Sequence, residues 1–329
     1  MKKSFLLSFA ACLFFTAGFF ACTDHEIPTT DPVQFAVTTQ DTTLRAPIGL
    51  AADDRGNLWI AEIGTGNNDG AVVMITPSGQ KKTVISGFNS TAGPESNEGL
   101  SHLLYDNGKL YIVHGIDGKI FVANVAGYQF SDPQIALSSL EVREYGQQIR
   151  DLNLTDPVNS NLFALTPGPD GHIYLTDAGA NAIFRRDKTT GDLSLFAKLP
   201  KLGANVDAVP TGIVYDGNKF LVSTLSGAPF ISGNAKIFAI TSDGTVSVYK
   251  EGFTTLTHIA LSPGGKPLVT KFADFAIPDG FKPFSGGVLD ENGTVLAGGL
   301  MMPTDIKRTG DRQYHVISYA LGHLYKLTY

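Results

Sequence analysis

Beyond residue 32, apolar and polar positions alternate with a period of two over short runs, and most runs stop at a turn of Asp, Asn or Gly. Period-two alternation broken by such turns predicts strands joined as hairpins. The first hairpin reads Pro47-Ile-Gly-Leu-Ala-Ala-Asp-Asp-Arg-Gly-Asn-Leu-Trp-Ile-Ala-Glu62, and equivalent phrases cover 101–114, 161–177, 210–224, 256–271 and 303–319. A second strand pair follows most of them, as in Ala71-Val-Val-Met-Ile with Thr83-Val-Ile-Ser, or Lys236-Ile-Phe-Ala-Ile with Val246-Ser-Val-Tyr. Four short strands per unit predict a propeller blade.

The residue leading into the first strand of each unit is Gly49, His102, Phe163, Gly212, His258 and Asp305, with steps of 53, 61, 49, 46 and 47 residues. Such steps suit propeller repeats. The expectation is an all-β chain, a single six-bladed β-propeller of the NHL or TolB-like kind over residues 33–329. Only 24 residues follow Asp305, enough for three strands. The run Val33–Gln40 supplies the fourth and closes the ring without a free edge. The longest step contains Ser138–Arg150, where Leu140, Tyr145 and Ile149 recur at helical spacing, so a short helix is expected between blades 2 and 3.

The start of the chain departs from this pattern. Met1-Lys2-Lys3 is basic, Phe5 to Phe20 carries no charge, and Cys22 follows Gly18-Phe19-Phe20-Ala21. This reads as a lipoprotein signal over 1–21, with cleavage before Cys22 and lipidation there; the alternative is a plain secretory signal. Residues 22–32, rich in Thr, Pro and acid, read as a tether. The expected setting is the cell envelope, attached to the membrane through the N-terminal lipid. Removing the signal takes two lysines and Cys12, so no disulfide or Cys-based metal site remains. With 25 Lys+Arg against 31 Asp+Glu and a pI near 5.6, no nucleic-acid partner is expected. The chain is read as a monomer.

Three phrases carry a resemblance. They are Ser160-Asn-Leu-Phe-Ala-Leu, Tyr174-Leu-Thr-Asp-Ala-Gly-Ala-Asn-Ala-Ile-Phe-Arg, and Val209-Pro-Thr-Gly followed by Leu225-Ser-Gly-Ala-Pro-Phe-Ile-Ser-Gly-Asn-Ala-Lys-Ile-Phe. The chain resembles the ScyD/ScyE propeller family over most of residues 45–270. The resemblance implies the propeller fold and an envelope or secreted setting. It brings no reaction.

Chemistry is expected at one mouth of the central channel. The starts of the first strands and the ends of the antiparallel second strands rim the same face. His102 and His258 fall in opposite blades and Asp305 lies next to His258, a set that suits zinc or another divalent ion in a solvent-filled channel. Glu62, His114, Asp177 and Lys271 fall at the ends of second strands and are expected to form a ligand-binding rim. Pro229-Phe230, between glycines, reads as an interaction loop for a protein partner or the membrane surface, or as a cover over the mouth. Trp59, Tyr111 and Tyr174 share one strand position and read as blade packing. The Gly-x-Ser-x-Gly elbow and the Gly-Lys-Ser/Thr phosphate loop are both missing from the sequence. A small-molecule or protein-binding module is the favoured reading. A metal-dependent hydrolase or lyase of the gluconolactonase or NHL lyase kind is the alternative.

Overall fold

The computed structural model describes residues 30–93, 96–203 and 205–329. Signal residues 1–21, Cys22 and the tether as far as residue 29 lie outside the described residues. No helix among the described residues is long and apolar enough to cross a membrane.

Six four-stranded antiparallel sheets form the six blades. Their innermost strands are Pro47–Ala52, Leu100–Asp106, Leu162–Pro167, Pro210–Tyr215, Leu256–Leu261 and Pro303–Gly310. Each packs against the innermost strands of both neighbours, so the ring closes between the first and the last. The apolar residues divide into six buried clusters, one at each blade interface. Both faces of the inner strands are therefore covered, and Trp59, Tyr111 and Tyr174 pack in these interfaces, as the repeat predicts.

The closing strand is Ala36–Asp41, paired antiparallel with His323–Thr328. It begins three residues later than the alternation suggests, because Val33 is 86% exposed while Phe35 is buried and donates its N–H to Leu296. Asp31 and Pro32, expected in the tether, are already docked. Pro32 is buried, and Asp31 accepts the Gly264 N–H at 2.8 Å in the turn between the two inner strands of blade 5.

The insertion before blade 3 is mostly not a helix. Glu141–Glu144 pairs with Lys119–Asn124 as the outer strand of blade 2, with a 3-10 turn at Leu137–Ser139 before it and a single α-helical turn, Gly146–Arg150, after it. Tyr145 and Ile149 are buried against blade 3, whereas Leu140 packs against blade 1, so the spacing that suggests one helix serves two separate contacts.

Two devices hold the inner strands together. Every inner strand carries a register shift just after its start. In addition, hydroxyls span five of the six blade interfaces. Ser101, Thr176, Thr211, Thr257 and Thr304 donate to the carbonyls of Phe163, Thr211, Leu256, Pro303 and Pro47, at 2.6–3.1 Å. Four of the five immediately precede a ring position, so the signal was present in the repeat. Ile48 holds that place in blade 1.

Candidate functional site: the channel mouth and its buried floor

His102, His258 and Asp305 converge on the axis, with ligand atoms all within 4.8 Å of one another. The expected solvent-filled channel is closed at this level. The two imidazoles, from opposite blades, stack with centroids 4.7 Å apart and planes 10° from parallel. Phe163 lies against His102 at 4.6 Å. His102 and Asp305 are each 1% exposed and His258 is 7%.

Glycines allow this closeness. A Cβ on Gly49 would lie 2.5 Å from the His102 Cα, and one on Gly212 would lie 2.6 Å from the Ile259 nitrogen. The leading ring thus reads Gly-His-Phe in one half and Gly-His-Asp in the other, with each glycine pressed on the following histidine strand.

Asp305 is the electrostatic anchor. One oxygen accepts the Leu50 N–H at 2.6 Å; the other lies 2.9 Å from His258 Nδ1. Burial opposes its ionisation, but the charge of the adjacent His258, with His102 adding, holds its carboxyl below the usual range. His102 is pushed down to about 4, chiefly by burial, although Asp305 lies 3.8 Å away. Its two nitrogens lie 3.4 Å from the Thr304 carbonyl and 3.3 Å from the Ser101 hydroxyl.

The three side chains are close enough to share a metal ion. A metal, however, lies in the plane of each imidazole that ligates it. Two stacked, nearly parallel rings have no such common point, so in this arrangement at most one of them can ligate alongside Asp305.

Above this floor lies a cavity of about 340 Å³ at the channel mouth. Its wall is mainly apolar: Ile48, Ile63, Phe163, Leu225, Phe272 and Tyr319 contribute, together with Phe230 and Phe281. Ser101, Thr257 and Thr304 also line it, but their hydroxyls are bonded to neighbouring blades.

The residues expected at the rim are elsewhere: Glu62, His114, Asp177 and Lys271 are not among the lining residues. The register gives the reason. Glu62, His114, Asp177, Thr224, Lys271 and Ser318 pair with the first residue of each inner strand. One position further on, Ile63, Gly115, Leu225, Phe272 and Tyr319 line the cavity. A step of one residue along a strand changes the face. The apolar character of Ile63, Leu225 and Phe272 after polar strand ends was the available signal.

The expected rim side chains serve local structure instead. Glu62 accepts the Arg45 N–H at 2.9 Å, and burial raises its pKa. His114 Nε2 lies 2.8 Å from the Asn89 carbonyl, and burial lowers its pKa. Asp177 accepts from Ser160 and Asn161 at 2.7 Å and from Ala180 at 2.8 Å, with burial outweighing these bonds to raise its pKa. Lys271 pairs with Asp274 at 2.6 Å.

Phe230 is part of the cavity lining. It is half-buried, with Pro229 exposed beside it, and its ring lies 5.1 Å from both Phe275 and Phe281. The latter two belong to a small hairpin, Phe275–Ala276 with Gly280–Phe281, inserted in blade 5. The blade repeat gives no sign of this hairpin; the Phe-rich stretch Phe272 to Phe284 is its only mark in the sequence.

No protein family and no curated protein matches the chain by sequence. Solved structures do share its fold. A gluconolactonase from Xanthomonas campestris has TM-score 0.57 and 13% identity over 91% of each chain. A catalytically inactive variant of virginiamycin B lyase from Staphylococcus aureus, with quinupristin, has TM-score 0.53 and 17% identity over 90% of this chain and all of that one. Regucalcin from Agrobacterium tumefaciens, a calcium-binding protein, has TM-score 0.56 and 14% identity over 89% and 94%. At these identities the likeness is one of fold, and the chain is a six-bladed β-propeller.

Proposed function

We propose that this chain is a binding protein of the cell envelope that takes an apolar small molecule at the mouth of the propeller. The cavity carries the reading: it has the size of a small-ligand site, its walls are mainly aromatic and aliphatic, and the hydroxyls of Ser101, Thr257 and Thr304 are already engaged. The ScyD/ScyE-like phrases support an envelope setting, and the residue pattern around Cys22 supports a lipid anchor.

The test is titration of the purified chain with the neutral apolar dye N-phenyl-1-naphthylamine. Saturable fluorescence enhancement that weakens at least fivefold in both Phe230→Ala and Leu225→Lys supports the reading. No saturable binding, or binding indifferent to both changes, overturns it.

A second reading, a metal-dependent hydrolase or lyase, is favoured by one observation, the grouping of His102, His258 and Asp305. The gluconolactonase and lyase folds above agree with it. A divalent ion there would supply Lewis-acid chemistry, with Asp305 and one imidazole as its ligands. Metal analysis tests it: about one equivalent of zinc or calcium, lost in His102→Ala and His258→Ala, would favour the enzyme. No bound metal would remove it.

A further inference from the structure

Resting on the apolar-cavity reading, we infer that the cavity selects ligands carrying a positive charge on an apolar body, such as quaternary ammonium compounds. Five aromatic rings, Phe163, Phe230, Phe272, Phe281 and Tyr319, contribute to its lining. Among the described residues, the single charged member of that lining is an acid, Glu98; no Lys, Arg or His joins it.

Glu98 is exposed and forms no ion pair among the described residues. The cations nearest in sequence to the wall are accounted for. Lys271, before Phe272, pairs with Asp274 at 2.6 Å, and Lys282, after Phe281, is not part of the lining.

Aromatic faces carry negative potential and attract cations, most strongly when water is excluded. An apolar wall alone would hold a neutral ligand equally well. An anion would lose its hydration and find no cation in the described lining to replace it. The combination of rings, one rim carboxylate and no opposing base therefore discriminates by charge.

Three probes of the same shape and different charge read this directly: choline, the neutral 3,3-dimethylbutan-1-ol, and the 3,3-dimethylbutanoate anion. Each is titrated into the purified chain by ligand-observed NMR. Choline is expected to bind at least fivefold more tightly than the alcohol, and the anion more weakly than both. Glu98→Gln should bring choline within twofold of the alcohol while leaving the alcohol unchanged. Parity of choline and alcohol in the native chain, preference for the anion, or indifference to Glu98→Gln would each overturn the inference. The neutral dye separates the two failures. Dye binding without charge preference removes only the charge selectivity, whereas loss of dye binding removes the cavity reading itself.

Discussion

Asp305 of blade 6 accepts the backbone N–H of Leu50 in blade 1 at 2.6 Å, across the seam where the first and last units meet. Its other oxygen lies 2.9 Å from His258 Nδ1 in blade 5, so one carboxylate joins three consecutive blades. Asp305→Ala leaves the buried Leu50 N–H without its acceptor and the buried His258 without its neighbouring carboxylate. Losing one partner of such a buried pair costs about 3–5 kcal/mol. Urea denaturation should show this loss, and Asp305→Asn, which keeps an acceptor for Leu50, should lose less.

Acid should destabilise the protein through two buried histidines. Burial pushes both His102 and His315 down to about 4, against an ordinary value of 6.5. Between those values the unfolded chain binds more protons than the folded one, so stability falls as pH drops through this window. Each histidine contributes on the order of 3 kcal/mol across it. The Asp305 carboxyl, held below 3.8, acts only at lower pH. Denaturation midpoints at pH 7.5, 6, 5 and 4.5 should decline steadily. His315→Gln should flatten that slope.

The closeness of the two histidine strands to their neighbours makes a further prediction. Gly49→Ala and Gly212→Ala would each push a methyl group to within 2.5–2.6 Å of backbone atoms, which cannot move aside cheaply. Overpacking of this kind costs about 1–3 kcal/mol. Gly203→Ala, where nothing lies within 4 Å, is the control and should stay within about 0.5 kcal/mol of the native chain. Equal stability of all three variants would contradict the packing described.

Closure by the N-terminal strand can be tested by shortening. A chain beginning at residue 43 lacks Ala36–Asp41 and exposes the edge of His323–Thr328. Unpaired edges recruit other strands. Sedimentation velocity should show self-association that is absent when the chain begins at residue 30.

The blade repeat was legible because each unit buries both faces against its neighbours, which forces the same apolar phrase into the same place six times. His102, His258 and Asp305 were legible for the same reason, since equal repeat positions meet at the axis. The rim was misplaced by one residue. Glu62, His114, Asp177 and Lys271 are chemically conspicuous, yet Ile63, Leu225, Phe272 and Tyr319 face the cavity. The sixth unit, aligned at Tyr319 rather than Ser318, met the cavity through that same offset.

The sequence by itself determined the number of blades, the strand that closes them and the residues at the axis, because these follow from local periodicity and from counting units. Tertiary structure alone decided that the channel is plugged by stacked imidazoles, that Glu141–Glu144 is a strand, and that Phe230 meets an inserted hairpin from another blade. Those features depend on distances between residues far apart in the chain. A repeat places its members round an axis, but how nearly they touch is set by the packing of the whole ring.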